Sequence, residues 1–394
     1  MRILVVNDTY YPHVNGASYF TQNLVHQLKN RKHEVAVIGP AESFKNSKRD
    51  VDGILVYGIR STQFLFFNDF KFRYCLPFFN KKYIQQILDE FKPDIVHIQG
   101  HFPISRNVLK ACKKNKIKIV GTNHFMPDNL THYIPLGNTI RNFAKNLLWK
   151  GFAKIFNQLN QITTPTETAA NLIRPYIKKE VKVISNGIDC HRFNPNNKSD
   201  HIRTLYKIPN KQNLLYVGRL DKEKNINLIL KAAANALQEI DFHLTITGNG
   251  AERNNLKDLA KRLGINDKVT FTEFVPDKDL PSLYTTGTCF VIACTVELQS
   301  LVTMEAMASG LPVIGVNAMA LPELVHDNQN GFLFEPDDQK GLSEKIIKIL
   351  SDKDLQKRMS EESLKIIQNH HIEKSISAFE EMYRREIAAT ILKI

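Results

Sequence analysis

Two glutamates, Glu297 and Glu305, stand eight positions apart in TVELQSLVTMEAMASGLPV, residues 295–313. The run CFVIACT before them predicts a strand and its exit, and the residues from about Ser300 predict a helix. Glu297 then lies in the loop, and Glu305 lies roughly a turn and a half into the helix, at about 3.6 residues per turn. Glu305 sits among Met304, Ala306, Met307 and Ala308, a poor setting for a merely solvated acid. A carboxylate there can accept hydrogen bonds from two adjacent hydroxyls, and Glu297 can accept from others. The free N–H groups of the helix start can meet a phosphate. The competing possibility is a capped amphipathic helix with two solvated acids.

Other strand exits carry further candidates. VGRLDKEKN (217–225) offers Arg219 and Lys224, two cations that suit a diphosphate, one as a fork and one as a point charge. Alternatively, Arg219 is a surface partner of Asp221 or Glu223. NDTYYPHVNGAS (7–18) places Gly16 just before a helix, where the backbone can come close to an anion. The GxGxxG pattern of nicotinamide-dinucleotide sites is absent. GTNHFMP (121–127) puts His124 at a strand's carboxyl end, as open to a structural as to a chemical role. The glycines of ITGNGAE (246–252) read as a tight turn. Asp277-Lys278-Asp279 has the letters of a metal-binding Asp-x-Asp, but its loop context predicts helix capping, and no metal is expected.

These loops need elements to hold them. RILVV, EVAVIG, GILVYG, DIVHIQ, IKIVGT and VKVIS predict strands, with helices between them at about 17–31 and 81–91. The series restarts with NLLYVG, FHLTITG, VTFTEF, CFVIA and PVIGV. Such alternation predicts parallel sheets covered on both faces. The expected class is therefore α/β, with two doubly wound Rossmann-like domains whose ligands bind at the carboxyl ends of strands, in a cleft between the domains. The polar stretch NGIDCHRFNPNNKSD (186–200) marks the junction, which divides the chain into 1–190, 191–371 and a helical tail, 372–394.

A length of 394 residues suits two cores, and 43% hydrophobic with 24% charged residues is ordinary for a globular protein. No apolar run is long enough to cross a bilayer. The start, MRILVVND, reads as a buried strand rather than a signal peptide. Five scattered cysteines without a CxxC pair predict neither a disulfide framework nor a zinc site, and fit a reducing cytoplasm. The net charge of +13 is one-sided: residues 1–190 hold 27 Lys+Arg against 13 Asp+Glu, and the rest 26 against 27. A basic half can face nucleic acid, an anionic polymer or an anionic membrane. No nucleic-acid motif accompanies it, so a non-catalytic basic protein binding such a polymer is the reading from another class.

With E-x7-E followed by AMASGLPV, and VGRLxxEKN about eighty residues earlier, the sequence resembles the retaining GT-B glycosyltransferases of family 4. SNGID at 185–189 and LPELV…NGFLF at 321–334 extend the resemblance over nearly the whole chain. More narrowly, TVELQSLVTMEAMASG is similar to the corresponding stretch of bacterial diacylglycerol glucosyltransferases and sulfolipid-synthase relatives. NDFKFRYCLP (68–77) resembles their acceptor loop. The resemblance implies transfer of a hexose, with glucose from UDP-glucose as first choice, to a lipid such as diacylglycerol or a glycosyl-diacylglycerol. The runner-up acceptor is a polysaccharide or soluble molecule. It implies no cofactor beyond the nucleotide-sugar, and a front-face attack in which the donor phosphate helps take the acceptor proton.

Carried over by position, the resemblance assigns Arg219 and Lys224 to the diphosphate, Glu305 to the ribose and Glu297 to the donor sugar. Leu298, Gln299, Ser300 and Leu301 would meet sugar and phosphate through their backbone, and Phe274 and Val275 would lie beside the base. Gly16 would approach the phosphate, and His124 the transferred sugar and acceptor. The sequence departs from the family pattern at Asn15-Gly16 for a double glycine, at Ser300 for a glycine, and at Ala318-Met319-Ala320 where Gly-Gly often precedes Pro-Glu.

A membrane contact is expected in the basic half. Residues 62–83 interleave aromatics such as Phe66 and Phe67 with Lys71, Arg73, Lys81 and Lys82, and a second cluster holds Lys110, Lys113, Lys114, Lys116 and Lys118. Aromatics can enter a bilayer interface while cations meet anionic headgroups. The expected location is the cytoplasm, peripheral on the inner face of the cell membrane.

Overall fold

The computed structural model describes residues 1–10, 15–63, 73–75, 80–127 and 138–391. The chain divides into two compact units, Met1–Ser185 with Ser375–Ile394, and Asn186–Lys374. Strands of the first unit are β1 (Arg2–Val6), β2 (Glu34–Pro40), β3 (Ser47–Val51) and β4 (Ile54–Ile59), then the short pair β5 (Thr62–Gln63) and β6 (Arg73–Tyr74). They continue with β7 (Ile95–Ile98), β8 (Lys118–Thr122), β9 (Gln161–Thr164) and β10 (Val181–Val183). Among the described residues, eight of these form one sheet in the order β10-β9-β8-β7-β1-β2-β4-β3. Ile3, Leu4, Val5 and Val6 are wholly buried, as both-faced covering by helices requires.

Besides the short pair β5 and β6, three strands fall outside the expected series. β3 (SKRDV) is antiparallel to β4, so the sheet is not purely parallel. Its alternating half-exposure is that of an edge strand with one wet face. β9 (QITT) is polar but buried. In the second unit, β16 (Gly331–Phe334) lies inside a stretch noticed only for its motif.

Strand β1 pairs with β2 on one side and β7 on the other, so the first sheet's switch point lies between β1 and β7. The helix Ile372–Ile391 packs on this unit after Ser375. Its Tyr383 hydroxyl lies 2.7 Å from His97 Nδ1, and Glu380 accepts from Arg31 at 2.7 Å and meets His33 at 2.5 Å.

The second unit holds β11 (Asn213–Val217), β12 (His243–Thr247), β13 (Val269–Glu273), β14 (Cys289–Ile292), β15 (Val313–Val316) and β16. They form a parallel sheet in the order β13-β12-β11-β14-β15-β16, with its switch point between β11 and β14. The loop after β12 packs directly on the loop after β11: a Cβ at Gly248 would stand 1.9 Å from the Gly218 carbonyl oxygen. Backbone contact therefore accounts for that glycine.

Candidate active site

The loops flanking the second switch point bring Lys224 and Glu297 together. The turn Lys222–Lys224 ends at Asn225, in the left-handed region at φ 51°. Asn225 Nδ2 donates to the Ala293 carbonyl at 3.2 Å, tying this loop to the exit of β14. Lys224 Nζ then stands 2.7 Å from Glu297 Oε1 and 3.6 Å from Cys294 Sγ. The two charged side chains are only 18% and 16% exposed. Burial alone would lower the ammonium's pKa, but the facing carboxylate raises it well above the usual lysine range. The Cys294 thiol is pushed up to about 12 by burial, with the Glu297 charge adding to the rise.

Arg219 does not share that pairing. Its guanidinium holds Asp221 and, at 2.7 Å, Glu223, while remaining 44% exposed. The surface pairing considered from the sequence is thus present, on a guanidinium still open to solvent.

Glu305 lies on the buried side of the helix Leu301–Ala308. Ser300 caps that helix, accepting from the Thr303 N–H at 3.3 Å. The Glu305 Oε2 accepts from the Tyr284 hydroxyl at 2.6 Å. Burial raises its carboxyl to about 7, against the lowering influence of Tyr284 and Arg192. Leu298 and Gln299 are buried, and Gln299 Oε1 accepts from the Asn186 N–H at 2.8 Å, so that side chain braces a neighbouring loop. Leu301 packs partly buried against the core. The Ala320 N–H donates to the Glu297 carbonyl at 3.2 Å, and Met319 beside it holds φ 51°. Here glycine would relieve strain of about 1–2 kcal/mol that methionine bears.

Beyond β13, Phe274 is 69% exposed and Val275 is buried in the core. A flat aromatic face open to solvent can take a stacked ring. Capping by the Asp-Lys-Asp stretch is not what the structure shows. Asp279 stands at the start of the helix Leu280–Tyr284 without a side-chain cap bond and instead accepts from the Tyr206 hydroxyl at 3.1 Å. Asp277 pairs with Arg192 at 2.7 Å. The two acids are thus engaged by different partners. Among the described residues, no group of three or more His, Cys, Asp or Glu is placed to hold a metal ion.

In the first unit, Asp8, Gln99, His101 and His124 follow the carboxyl ends of β1, β7 and β8, the first two of which flank that switch point. Asp8 accepts from the Ile104 N–H at 2.8 Å and from the Ser105 hydroxyl at 2.5 Å; burial raises its pKa. His124 Nε2 lies 3.0 Å from Gln99 Oε1, and the Phe20 ring packs 4.8 Å from its imidazole. Burial holds both His124 and His101 neutral, with pKa values lowered to about 3. Gln99 and His101 were missed from the sequence, although the strand-exit rule that picked out His124 applies equally to the exit of β7. Gly16 opens the helix Gly16–Asn30 behind an Asn15/Ser18 capping box, and a Cβ there would touch nothing among the described residues. Packing does not demand that glycine.

Of the expected membrane residues, Phe66, Phe67 and Lys71 lie outside the described residues. Arg73 is half-buried, and its guanidinium donates to Ser61 Oγ at 2.7 Å and the Ser61 carbonyl at 3.0 Å. Lys81 and Lys82 are exposed at the start of the helix Lys81–Phe91, which precedes β7 and so begins at the sheet's carboxyl end. The cluster from Lys110 to Lys118 occupies the opposite end, where the helix Pro103–Lys114 finishes and β8 starts. The helix Asn138–Phe156 presents a surface outside those expectations. It buries Trp149, Phe152, Ile155 and Phe156, yet Ile140, Phe143 and Leu147 are 51%, 71% and 62% exposed. With exposed Lys150 and Lys154, their spacing of three and four residues forms one stripe. Lying between β8 and β9, this helix starts at the carboxyl end of the sheet, beside which His124 sits. Among the described residues no helix is long and apolar enough to cross a membrane.

Residues 14–192 match the family model described as Glycosyltransferase Family 4, and residues 197–366 match Glycosyl transferases group 1. The chain is 30% identical over 341 residues to the alpha-monoglucosyldiacylglycerol synthase of Streptococcus pneumoniae, covering 85% of this chain and 75% of that protein. It is 27% identical over 364 residues to the sulfoquinovosyl transferase of Arabidopsis thaliana, covering 89% and 66%. A solved structure of the Anabaena protein HepE in complex with UDP superposes with a TM-score of 0.75 at 18% identity, covering 98% of this chain and all of that one.

Proposed function

The chain belongs to the group 1, family 4 glycosyltransferases of GT-B fold, and from that membership we propose that it moves a hexose from a UDP-sugar to a membrane lipid. Glucose is the first choice of sugar, and diacylglycerol or a glycosyl-diacylglycerol the first choice of acceptor. The observation that carries the donor site is the half-buried Lys224–Glu297 pair at the second switch point, with Glu305 on the helix that follows. Lys224, with Arg219 nearer solvent, neutralises the diphosphate as it leaves. Glu297 accepts from sugar hydroxyls, Glu305 from the ribose, and the backbone of residues 298–301 meets sugar and phosphate. Phe274 and Val275 border the base. Bond formation takes place on the face the leaving group departs from, retaining configuration, and a donor phosphate oxygen takes the acceptor hydroxyl's proton. The residues act by positioning and charge stabilisation, without a metal.

The acceptor assignment draws on two supports. The relative most similar by identity among those above is named for a diacylglycerol glycolipid. The stripe Ile140–Phe143–Leu147, continued by Lys150 and Lys154, has the composition of a surface that enters an anionic bilayer. It begins at the carboxyl end of the sheet, the end that holds His124. The protein should sediment with vesicles of anionic lipid containing diacylglycerol and convert the latter, with one nucleotide-sugar of a panel, to a product heavier by one hexose. Phe143→Asp with Leu147→Asp should abolish sedimentation. Transfer only to soluble acceptors, with no binding to anionic vesicles at low salt, would overturn the lipid assignment.

Glu305 gives the donor site a pH dependence. Ribose hydroxyls donate best to an ionised carboxylate, so nucleotide binding lowers a pKa that stands at about 7 in the free protein. Affinity for UDP-glucose should therefore weaken as pH falls below 7, by up to about tenfold per unit. A diphosphate diester has no titration of its own there, so calorimetry between pH 5.5 and 8.5 reads Glu305. Glu305→Gln should bind more weakly and lose that slope; an unchanged slope would remove Glu305 from the ribose site. In the free protein the sign is opposite: the folded pKa lies above the unfolded one, so stability contributed at acidic pH is lost as pH rises through about 7.

A further inference from the structure

We propose that Gln99 is a positioning residue that holds His124 in its Nε2–H tautomer, so that Nδ1 accepts a hydrogen bond from a substrate hydroxyl. The proposal rests on the glycosyltransfer reading above for what the hydroxyl is, but not for the state of the imidazole.

The backbone brings the two residues side by side. Gln99 leaves β7 with its N–H donating to the Val6 carbonyl at 2.8 Å. His124 leaves β8, and the two strands are paired with Ile98 opposite Gly121. Gln99 Oε1 lies 3.0 Å from His124 Nε2, within hydrogen-bond reach. With the amide oxygen as the acceptor, Nε2 carries the proton and Nδ1 the lone pair. The Phe20 ring, 4.8 Å away and tilted, limits rotation of the imidazole.

Gln99 is costly where it stands. It is 3% exposed, and its amide nitrogen is buried with no hydrogen-bond partner among the described residues. An apolar side chain would avoid the cost of that unsatisfied donor. Among the described residues the side-chain amide's one partner is His124, and that interaction is what the site retains in exchange. His97, two residues earlier on β7, shows the contrast. Both its ring nitrogens are engaged, Nδ1 by the Tyr383 hydroxyl and Nε2 by Thr122 Oγ1, each at 2.7 Å. It is a core histidine; His124 keeps Nδ1 without a partner among the described residues. Because burial keeps the ring neutral, its acceptor persists at every working pH.

Nitrogen-15 NMR of histidine-labelled protein tests this, with the His124 signals identified by their loss in His124→Ala. In the wild type, Nδ1 should be unprotonated and Nε2 protonated throughout pH 5–9. Gln99→Leu should mix the tautomers and lower kcat about 10–100-fold, as loss of an orienting partner does, with little change in donor KM. Gln99→Glu should keep the tautomer but raise the imidazole's pKa, adding an acid limb to the kcat profile. That variant decides the matter if Gln99→Leu does not fold. A wild-type ring protonated on Nδ1, or a Gln99→Leu enzyme with wild-type tautomer and kcat, would overturn the proposal. A wild type that transfers no sugar would overturn the function instead, and the NMR arm would still judge Gln99.

Discussion

Glu297→Ala should lower sugar transfer by about 10²–10³-fold, the usual loss when one preorganised polar partner of a transition state is removed, while binding UDP at least as tightly as the wild type. In the free protein Glu297 occupies Lys224, the cation proposed for the diphosphate, at 2.7 Å. Its removal frees that ammonium for the nucleotide and takes away a nearby negative charge. What is lost is the acceptor for the sugar's hydroxyls. Calorimetry with UDP and initial rates with the nucleotide-sugar separate these effects. The unliganded variant should also melt earlier, since it leaves a half-buried lysine unpaired, and UDP should restore much of the loss. A near-wild-type rate would reduce Glu297 to a structural ion-pair partner.

Much of this arrangement is legible in the residues, for reasons that also mark where legibility ends. Buried parallel strands are short apolar runs, so β1, β2 and β11 announce themselves, and the helix Lys81–Phe91 follows from Ile84, Ile87, Leu88 and Phe91 on one face. β9 is hidden because Thr163 and Thr164 are buried as hydrogen-bonded polar residues. β3 is hidden because its edge position leaves SKRDV wet on one side. The helix Asn138–Phe156 has apolar residues on both its buried and its exposed face, and periodicity alone cannot say which face is open. At the site, Arg219, Lys224, Glu297 and Glu305 could be picked out by type and position. Their pairing could not: whether Lys224 meets Glu297 or a closer acid depends on how Asn225 ties two loops far apart in sequence. The role of Gln99 is three-dimensional in the same way, since only strand pairing sets it beside His124.

Lys224→Ala should weaken UDP binding by about 2–5 kcal/mol, the cost of removing one partner of a desolvated charge pair, or roughly 30- to several-thousand-fold in Kd. Arg219→Ala should cost far less, about 0–1 kcal/mol, because its guanidinium is 44% exposed and already neutralised by Asp221 and Glu223. The asymmetry follows from burial, since the same charge acts more strongly where water screens it less. Lys224→Ala carries a second penalty: it leaves the Glu297 carboxylate unpaired beside an incoming diphosphate. Like charges at that distance repel, so part of the lost affinity is Glu297's doing rather than the missing ammonium's. The double variant Lys224→Ala with Glu297→Ala should therefore bind UDP more tightly than Lys224→Ala alone, while transferring no sugar. The three Kd values close a cycle with the wild type, and its coupling energy measures how far the ion pair of the free protein competes with the donor. Equal affinities for wild type and Lys224→Ala would move the diphosphate off this switch point, and additive losses would mean that Glu297 and the phosphates do not share Lys224.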